Sequence, residues 1–511
     1  MTRTEKGLKN LKYAMLLQGV SILVSFLTRR VFIRMLAREY LGLNGVFSSV
    51  LSMLNLTEMG IGTAIVYSLY KPLAEHDQGQ VAALMALYRR AYWTIGAIVG
   101  LLGAMLTPFL PVLIQDLPDI PHIEWIYLLF VLDTSLSYFF SYRQSLLVAD
   151  QRQYIREMGQ LITQVLLQLA QILFLWLTGN YFVYLGLGIG AGLIRNLVLS
   201  KIAGRLYPYI DAGRKERLKP ETSATIVRNV KAMITHKIGG VMVFGTDNLL
   251  ISFFDGIVNV GLYSNYCMVT RTLSSTYSKA FSSLTASIGN LGATADAGQV
   301  LPMFYRLNFA GSWLYGFSTV CLIVLLNPFI ELWLGADLLF SQVNVCLIAL
   351  NFYLRGMRQA TLTFRSAYGV YWEDRYRPIA EAAVNLAASI VLAVPLGVTG
   401  IFLGTSISTI TTCLWEEPLI LFRYRLKAPV WPYFQRYAIN TAVTILTTAV
   451  VWVICSALPG AGLPQFIAKM AVCAVVGNLG FLLMYHRREE LRYFARLMMD
   501  QLAKRRGKRG P

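Results

Sequence analysis

Charge is scarce in this sequence: 14% of its 511 residues are charged, 56% are hydrophobic, and the mean hydropathy is +0.53. A soluble domain carries about 25% charged residues, so the chain has too few to clothe a water-facing surface and reads as a membrane protein. Paired cysteines are missing as well. Cys267, Cys321, Cys346, Cys413, Cys455 and Cys473 stand singly in apolar stretches, which excludes a disulfide framework and zinc-finger spacing. The four histidines, His76, His122, His236 and His486, lie far apart, which argues against a histidine metal site. There is no GxxxxGK[ST] loop, so nucleotide hydrolysis by that route is excluded. Gly186-Leu187-Gly188-Ile189-Gly190-Ala191 satisfies a dinucleotide-binding spacing, but with no strand before it the run reads as small-residue helix contacts.

What the sequence has instead is long apolar runs. A bilayer-spanning helix needs roughly 20 apolar residues, and such runs fall at 11–34, 41–70, 91–114, 123–147, 159–178, 181–203, 232–255, 259–290, 303–327, 343–369, 379–396, 399–421, 436–457 and 464–485. The expected fold is all-α and polytopic, with about fourteen transmembrane helices. Lysine and arginine accumulate in cytoplasmic connections. With the N-terminus inside, that side receives Arg89, Arg90, Arg152, Arg156, Arg205 and the cluster from Arg214 to Lys231, while the outer connections hold only Arg38. Both termini are therefore expected in the cytoplasm, and most of the net charge of +19 is this asymmetry. A nucleic-acid partner is the weaker explanation, since no folded domain is left to present a basic face. The first run is closed by Arg29 and Arg30 with no small-residue cleavage site after it, so it reads as a span and not a secretory signal.

The long basic connection divides the chain into a six-helix bundle over 1–203, a linker over 204–231 and a second six-helix bundle over 232–421. Two further spans lie in 422–485, and a basic tail covers 486–511. The two bundles resemble each other. Leu41-Gly42-Leu43 matches Val260-Gly261-Leu262 at an offset of 219, Thr107-Pro108-Phe109 matches Asn327-Pro328-Phe329 at 220, and Tyr142-Arg143 matches Phe364-Arg365 at 222. An even number of spans per repeat gives both halves one membrane orientation, and such transporters bind substrate at the interface between the halves.

Polar side chains in hydrocarbon are costly, so their stripes carry information. Asn44, Ser48, Ser52, Asn55 and Glu58 line one face of the second span, and Ser264, Cys267, Arg271, Ser275 and Ser278 line the eighth. The tenth offers Asn344, Asn351, Arg355, Arg358 and Arg365, and the fifth a ladder of Gln160, Gln164, Gln168 and Gln171. These stripes predict a water-filled cavity; the alternative is hydrogen-bonded glue between helices. Arg30, Arg271, Arg355 and Arg358 outnumber the in-span acids Glu58, Asp133 and Asp247. Guanidinium forks suit phosphate, so these four, with Ser48, Ser52, Asn55 and Ser275, are the expected substrate-binding residues, and Asp247 and Glu58 the expected ion-coupling acids. The alternative for the charges is ion pairing, for instance Asp247 with Arg30 or Arg271. Arg143 and Arg365 are expected to snorkel to the inner interface.

Arg29-Arg30-Val31-Phe32-Ile33-Arg34, Glu39-Tyr40-Leu41-Gly42-Leu43-Asn44-Gly45, Glu58-Met59-Gly60-Ile61-Gly62-Thr63-Ala64 and Gly245-Thr246-Asp247-Asn248 resemble bacterial oligosaccharide flippases. These form the Wzx-type polysaccharide-transporter branch of the multidrug/oligosaccharidyl-lipid/polysaccharide (MOP) exporter superfamily. The resemblance covers the whole chain. It implies a multi-pass protein of the cell membrane, without enzymatic chemistry or a cofactor, that moves undecaprenyl-pyrophosphate-linked oligosaccharide from the inner to the outer leaflet by alternating access. Coupling to protons or sodium is left open. The implied partners are that lipid-linked oligosaccharide, membrane lipids and polysaccharide assembly proteins. It also implies a lipid-tail groove at spans thirteen and fourteen. The alternatives are a multidrug or cation antiporter of the same superfamily, which needs a carboxylate-dominated cavity, and a membrane polymerase or ligase, which needs a large outer domain.

Overall fold

The computed structural model describes residues 3–55, 61–114, 120–150, 152–210, 245–285, 288–289, 297–370, 373–496 and 499. Among them there is no strand. The helices are α1 (Arg3–Met35), α2 (Glu39–Leu54), α3 (Ile61–Ala74), α4 (Gln78–Met105), α5 (Ile123–Ser141), α6 (Gln144–Ala149), α7 (Gln153–Thr178) and α8 (Tyr181–Leu206). They continue with α9 (245–255), α10 (Ile257–Ser282), α11 (Ala297–Leu334), α12 (Gln342–Met357), α13 (Gln359–Tyr368) and α14 (Arg377–Leu396). The last three are α15 (Val398–Leu426), α16 (Trp431–Ser456) and α17 (Gly462–Tyr485). Eight described helices are each long and apolar enough to cross a membrane, and helix occupies most of every expected span that falls on described residues. Leu166 and Trp176 on α7, Ile445 and Val453 on α16 and Leu483 on α17 are all more than 60% exposed. Aqueous solvent would penalise such an apolar belt, whereas lipid solvates it. The protein is therefore a polytopic, all-helical membrane protein.

Prolines explain where the repeat diverges. α4 stops before a short 3-10 turn at Thr107–Phe109, because Pro111 follows Pro108 by three residues and two successive turns lose their donors. The matching Pro328 stands alone, and α11 runs through it to Leu334.

The chain divides into two compact units, Met1–Ser264 and Asn265–Pro511. The sequence places the division earlier, at 204–231; residues 211–231 of that linker and 232–244 of the seventh span lie outside the described residues. The boundary moves into α10 because α9 and the first turns of α10 pack directly on α2. A Cβ on Gly42 would stand 2.1 Å from the Ile257 carbonyl oxygen, and one on Gly245 would stand 3.3 Å from Ser52 Oγ.

Within the first unit α1 packs on α7, α4 on α5, and α8 on both α5 and α7. Its core is rich in tyrosine: Tyr88, Tyr92, Tyr138, Tyr142 and Tyr207 are buried with Leu146 and Leu147. Each buried phenol needs a partner, and Tyr138 donates to Asn55 Oδ1 at 2.8 Å.

Within the second unit α14 and α15 form a tight hairpin. Gly400 and Gly404 repeat at a four-residue step, and a Cβ on them would meet the Leu392 carbonyl oxygen at 2.0 Å and Ser389 Oγ at 2.4 Å. Small residues at this spacing let membrane helices touch through their backbones. Gly404→Leu is expected to destabilise the unit by about 1–3 kcal/mol through overpacking, read as a lower melting temperature in detergent. α16 and α17 are fixed to α11 by buried polar links: Tyr485 donates to Asn440 Oδ1 (2.9 Å), Asn440 Nδ2 to Ser312 Oγ (2.9 Å), and Trp313 Nε1 to Asn478 Oδ1 (3.1 Å).

Candidate functional site

In the first unit, α2 presents the expected stripe, but its amides are committed. Asn44 Oδ1 accepts from the Tyr181 hydroxyl at 2.6 Å and Asn55 Oδ1 from Tyr138, so both tie α2 to its own bundle. Ser48 is exposed. Ser52 Oγ donates to the Ser49 carbonyl at 2.8 Å, and Ser49 Oγ accepts from Asn248 Nδ2 on α9 at 3.0 Å. Asp247 is partly buried on α9 beside that contact, and Glu58 lies outside the described residues. On α1, Arg30 is partly buried, while its neighbour Arg29 donates through Nη1 to Ser264 Oγ at 3.1 Å. The glutamine ladder acts as glue where its bonds are defined: Gln168 Nε2 donates to Ser25 Oγ (2.6 Å) and Gln171 Nε2 to the Tyr184 carbonyl (3.1 Å).

In the second unit the tenth-span stripe separates into two roles. Asn344 accepts from Thr399 Oγ1 (2.7 Å), Asn351 accepts from Ser406 Oγ (2.8 Å), and Arg358 donates through Nε and Nη2 to Glu417 at 2.9 and 2.7 Å. These three stand seven residues apart, a step that nearly completes two helical turns, and all face α15. Arg355 is rotated off that seam and exposed.

Arg358 thus joins a buried ion cluster. Arg365 donates to Glu417 (3.2 Å) and to Asp374, and Arg377 contacts Asp374 (3.1 Å), Glu381 (2.7 Å) and Glu417 (3.2 Å). Three arginines meet three carboxylates, and Glu417 at the centre is 0% exposed. Two expectations are corrected here. Arg358 is held by Glu417 and Glu381, so its fork is spent inside the protein and does not line a polar cavity. Arg365, expected to snorkel, is 3% exposed, because Asp374 and Glu417 supply its counter-charge internally. The sequence reading missed all three acids. Glu381 stands one turn after Arg377 and Glu417 lies within the twelfth span, signals that were there to be used.

Arg271 and Ser275 are exposed one turn apart on α10. α10 runs alongside α12 in the same direction, since the Phe340 amide just before α12 donates to the Tyr266 hydroxyl (2.9 Å) and Ser278 Oγ donates to Gln359 Oε1 just after it, at the start of α13 (3.3 Å). Arg271 and Ser275 on α10 and Arg355 on α12 are all exposed in this unit. Tyr315 packs on α12, its ring so close that a Cβ on Gly356 would overlap it at 2.0 Å. The same unit holds a groove of about 430 Å³ between α11, α12 and α16, lined by Ile323, Leu350, Tyr353, Ile445 and Trp452 among others. It offers two exposed guanidiniums and, separately, an apolar slot suited to hydrocarbon.

Residues 8–285 match the family described as polysaccharide biosynthesis protein. No curated protein matches the sequence. Solved structures of similar fold include the lipid II flippase MurJ in an inward closed conformation, at 14% identity and TM-score 0.61, covering 93% of this chain and 99% of that one. An inward-facing multidrug resistance MATE family transporter of the MOP superfamily is 12% identical at TM-score 0.61, covering 80% and 98%. The Vibrio cholerae MATE transporter VcmN in its bent form is 14% identical at TM-score 0.51, covering 83% and 97%. With more than half of its length inside the family match, and with the fold of those solved structures over its described helices, the chain belongs to the polysaccharide biosynthesis protein family.

Proposed function

We propose that this protein turns over undecaprenyl-pyrophosphate-linked oligosaccharide from the inner to the outer leaflet of the cell membrane by alternating access of two six-helix bundles, with both termini cytoplasmic. The observation that carries the reading is the pair of exposed guanidiniums, Arg271 and Arg355, in the second unit. A pyrophosphate is recognised by forked, permanently charged donors. Ser275, one turn after Arg271, with Ser48 and Ser52 in the first unit, would meet sugar hydroxyls, and Arg30 would be a third cation. The groove between α11, α12 and α16 supports the lipid half of the cargo, since the thirteenth span supplies one wall of it. Asp247 is the acid left for ion coupling on described residues. A cationic drug would find two exposed positive charges where it needs a carboxylate.

In a strain lacking the gene, complete lipid-linked repeat units are expected to accumulate on the cytoplasmic leaflet, read by mass spectrometry of the lipid extract and by lectin access. Continued export with no accumulation would remove this reading. Arg271→Ala and Arg355→Ala are expected to lower export about 10- to 100-fold, the worth of a hydrogen bond to a charged group, while the protein stays folded in the membrane. Arg358→Ala is expected instead to lower the amount of folded protein. Export that survives Arg271→Ala and Arg355→Ala alike would take both residues out of the mechanism.

A further inference from the structure

The first unit carries a second cationic site that the transport reading does not use. A lateral groove of about 600 Å³ opens between α4, α5 and α8, lined by Arg89, Trp93, Phe139, Tyr142, Arg143 and Lys201 among others. Among the described residues no carboxylate lines it. Each arginine is held in place by the protein. Arg89 lies over the Trp93 ring, 4.6 Å from its centroid, and Trp93 Nε1 donates to the Phe139 carbonyl at 3.3 Å. Arg143 Nε donates to the Tyr142 hydroxyl at 3.0 Å, and its Nη1 lies 2.9 Å from where a Cβ on Gly204 would stand, so the guanidinium lies close against α8. Lys201 is exposed one turn before it. The apolar rim faces outward: Trp93, Leu197 and Val198 are 44%, 45% and 51% exposed.

Nearby, Asp150 is engaged by Arg152 (2.9 Å) and by the Tyr207 hydroxyl (2.5 Å). Burial, and then the bond to Asp150, raises the Tyr207 phenol well above its ordinary value, so that donor stays protonated.

We propose that the α4–α5–α8 groove binds the phosphodiester headgroup of an anionic glycerophospholipid from the leaflet at the basic end of the bundle. Arg89, Arg143 and Lys201 hold the phosphate, and an acyl chain lies along Trp93, Leu197 and Val198. Basic pockets between membrane helices on the cytoplasmic side suit such headgroups, each cation being worth about fivefold in binding. The bound lipid bridges three helices and therefore stabilises the unit.

The test uses the full-length protein in phosphatidylcholine nanodiscs containing a minority of phosphatidylglycerol, with retained lipid counted by native mass spectrometry. Short-chain phosphatidylglycerol is also titrated against the melting temperature. The wild type is expected to retain phosphatidylglycerol over phosphatidylcholine, and Arg143→Gln with Lys201→Gln to bind it about 25-fold more weakly. Arg487→Gln with Arg488→Gln, in the basic tail, is expected to change nothing. Lys201→Gln alone, at an exposed position that folding tolerates, is expected to weaken binding about fivefold. Three results would each overturn the proposal: equal retention of phosphatidylcholine, wild-type preference in the Lys201→Gln protein, or competition by glycerol 3-phosphate as strong as by the lipid. The last would make a soluble phosphate the ligand.

Discussion

Glu417→Gln is expected to destabilise the second unit by about 3–5 kcal/mol, the usual consequence of removing one partner from a buried ion pair. Glu417 is fully buried and takes bonds from Arg358, Arg365 and Arg377 at 2.7 to 3.2 Å. Glutamine keeps the shape but offers one acceptor oxygen and two donors, so guanidiniums would face an amide N–H and lose their counter-charge in a low-dielectric surrounding. The measurement is the yield of monodisperse protein after detergent extraction, with its melting temperature. Arg358→Gln combined with Glu417→Gln is expected to be milder than Glu417→Gln alone, because charge balance within the cluster is restored. Wild-type stability in Glu417→Gln would show that the cluster contributes nothing net, the outcome found when desolvation cancels Coulomb attraction.

The contrast between Arg355 and Arg358 shows what the sequence could and could not convey. Helical periodicity groups both on one stripe, because residues three apart sit on neighbouring faces. The seven-residue step from Asn344 through Asn351 to Arg358 marks a tighter line, and the structure gives that line to α15, through Thr399, Ser406 and Glu417. Spacing identifies a polar face; it does not say whether a helix or water covers it. The spans themselves were legible because twenty apolar residues have few other uses in a chain with so little charge. The arginine excess was overestimated for a related reason: Asp374 and Glu381 stand at the edges of spans and were left out of the balance, although Glu381 follows Arg377 by one turn. In the first unit the same ambiguity made Asn55 look like a cavity residue when Tyr138 holds it.

The repeat at an offset of 219 carried a meaning that residue matching alone could not reach. Gly42 corresponds to Gly261 and Arg38 to Ile257. A Cβ on Gly42 would meet the Ile257 carbonyl oxygen at 2.1 Å, and a Cβ on Gly261 would meet the Arg38 carbonyl oxygen at 3.2 Å. Each glycine sits on the backbone of the residue that corresponds to its own i−4 neighbour, so α2 and the start of α10 cross about a local two-fold. The close approach is asymmetric, and that asymmetry sets the expected order of effects. At 2.1 Å the helices must separate, whereas at 3.2 Å a shift of a few tenths of an ångström is enough. Gly42→Ala is expected to weaken this packing by about 1–3 kcal/mol, because the backbones must separate to admit the methyl. Gly261→Ala is expected to stay close to wild type, since little backbone movement relieves it. The melting temperature and the yield of folded protein in detergent separate the two. Equal loss in both would mean that any methyl at the crossing disrupts it, and no loss in Gly42→Ala would mean that the helices part there without cost.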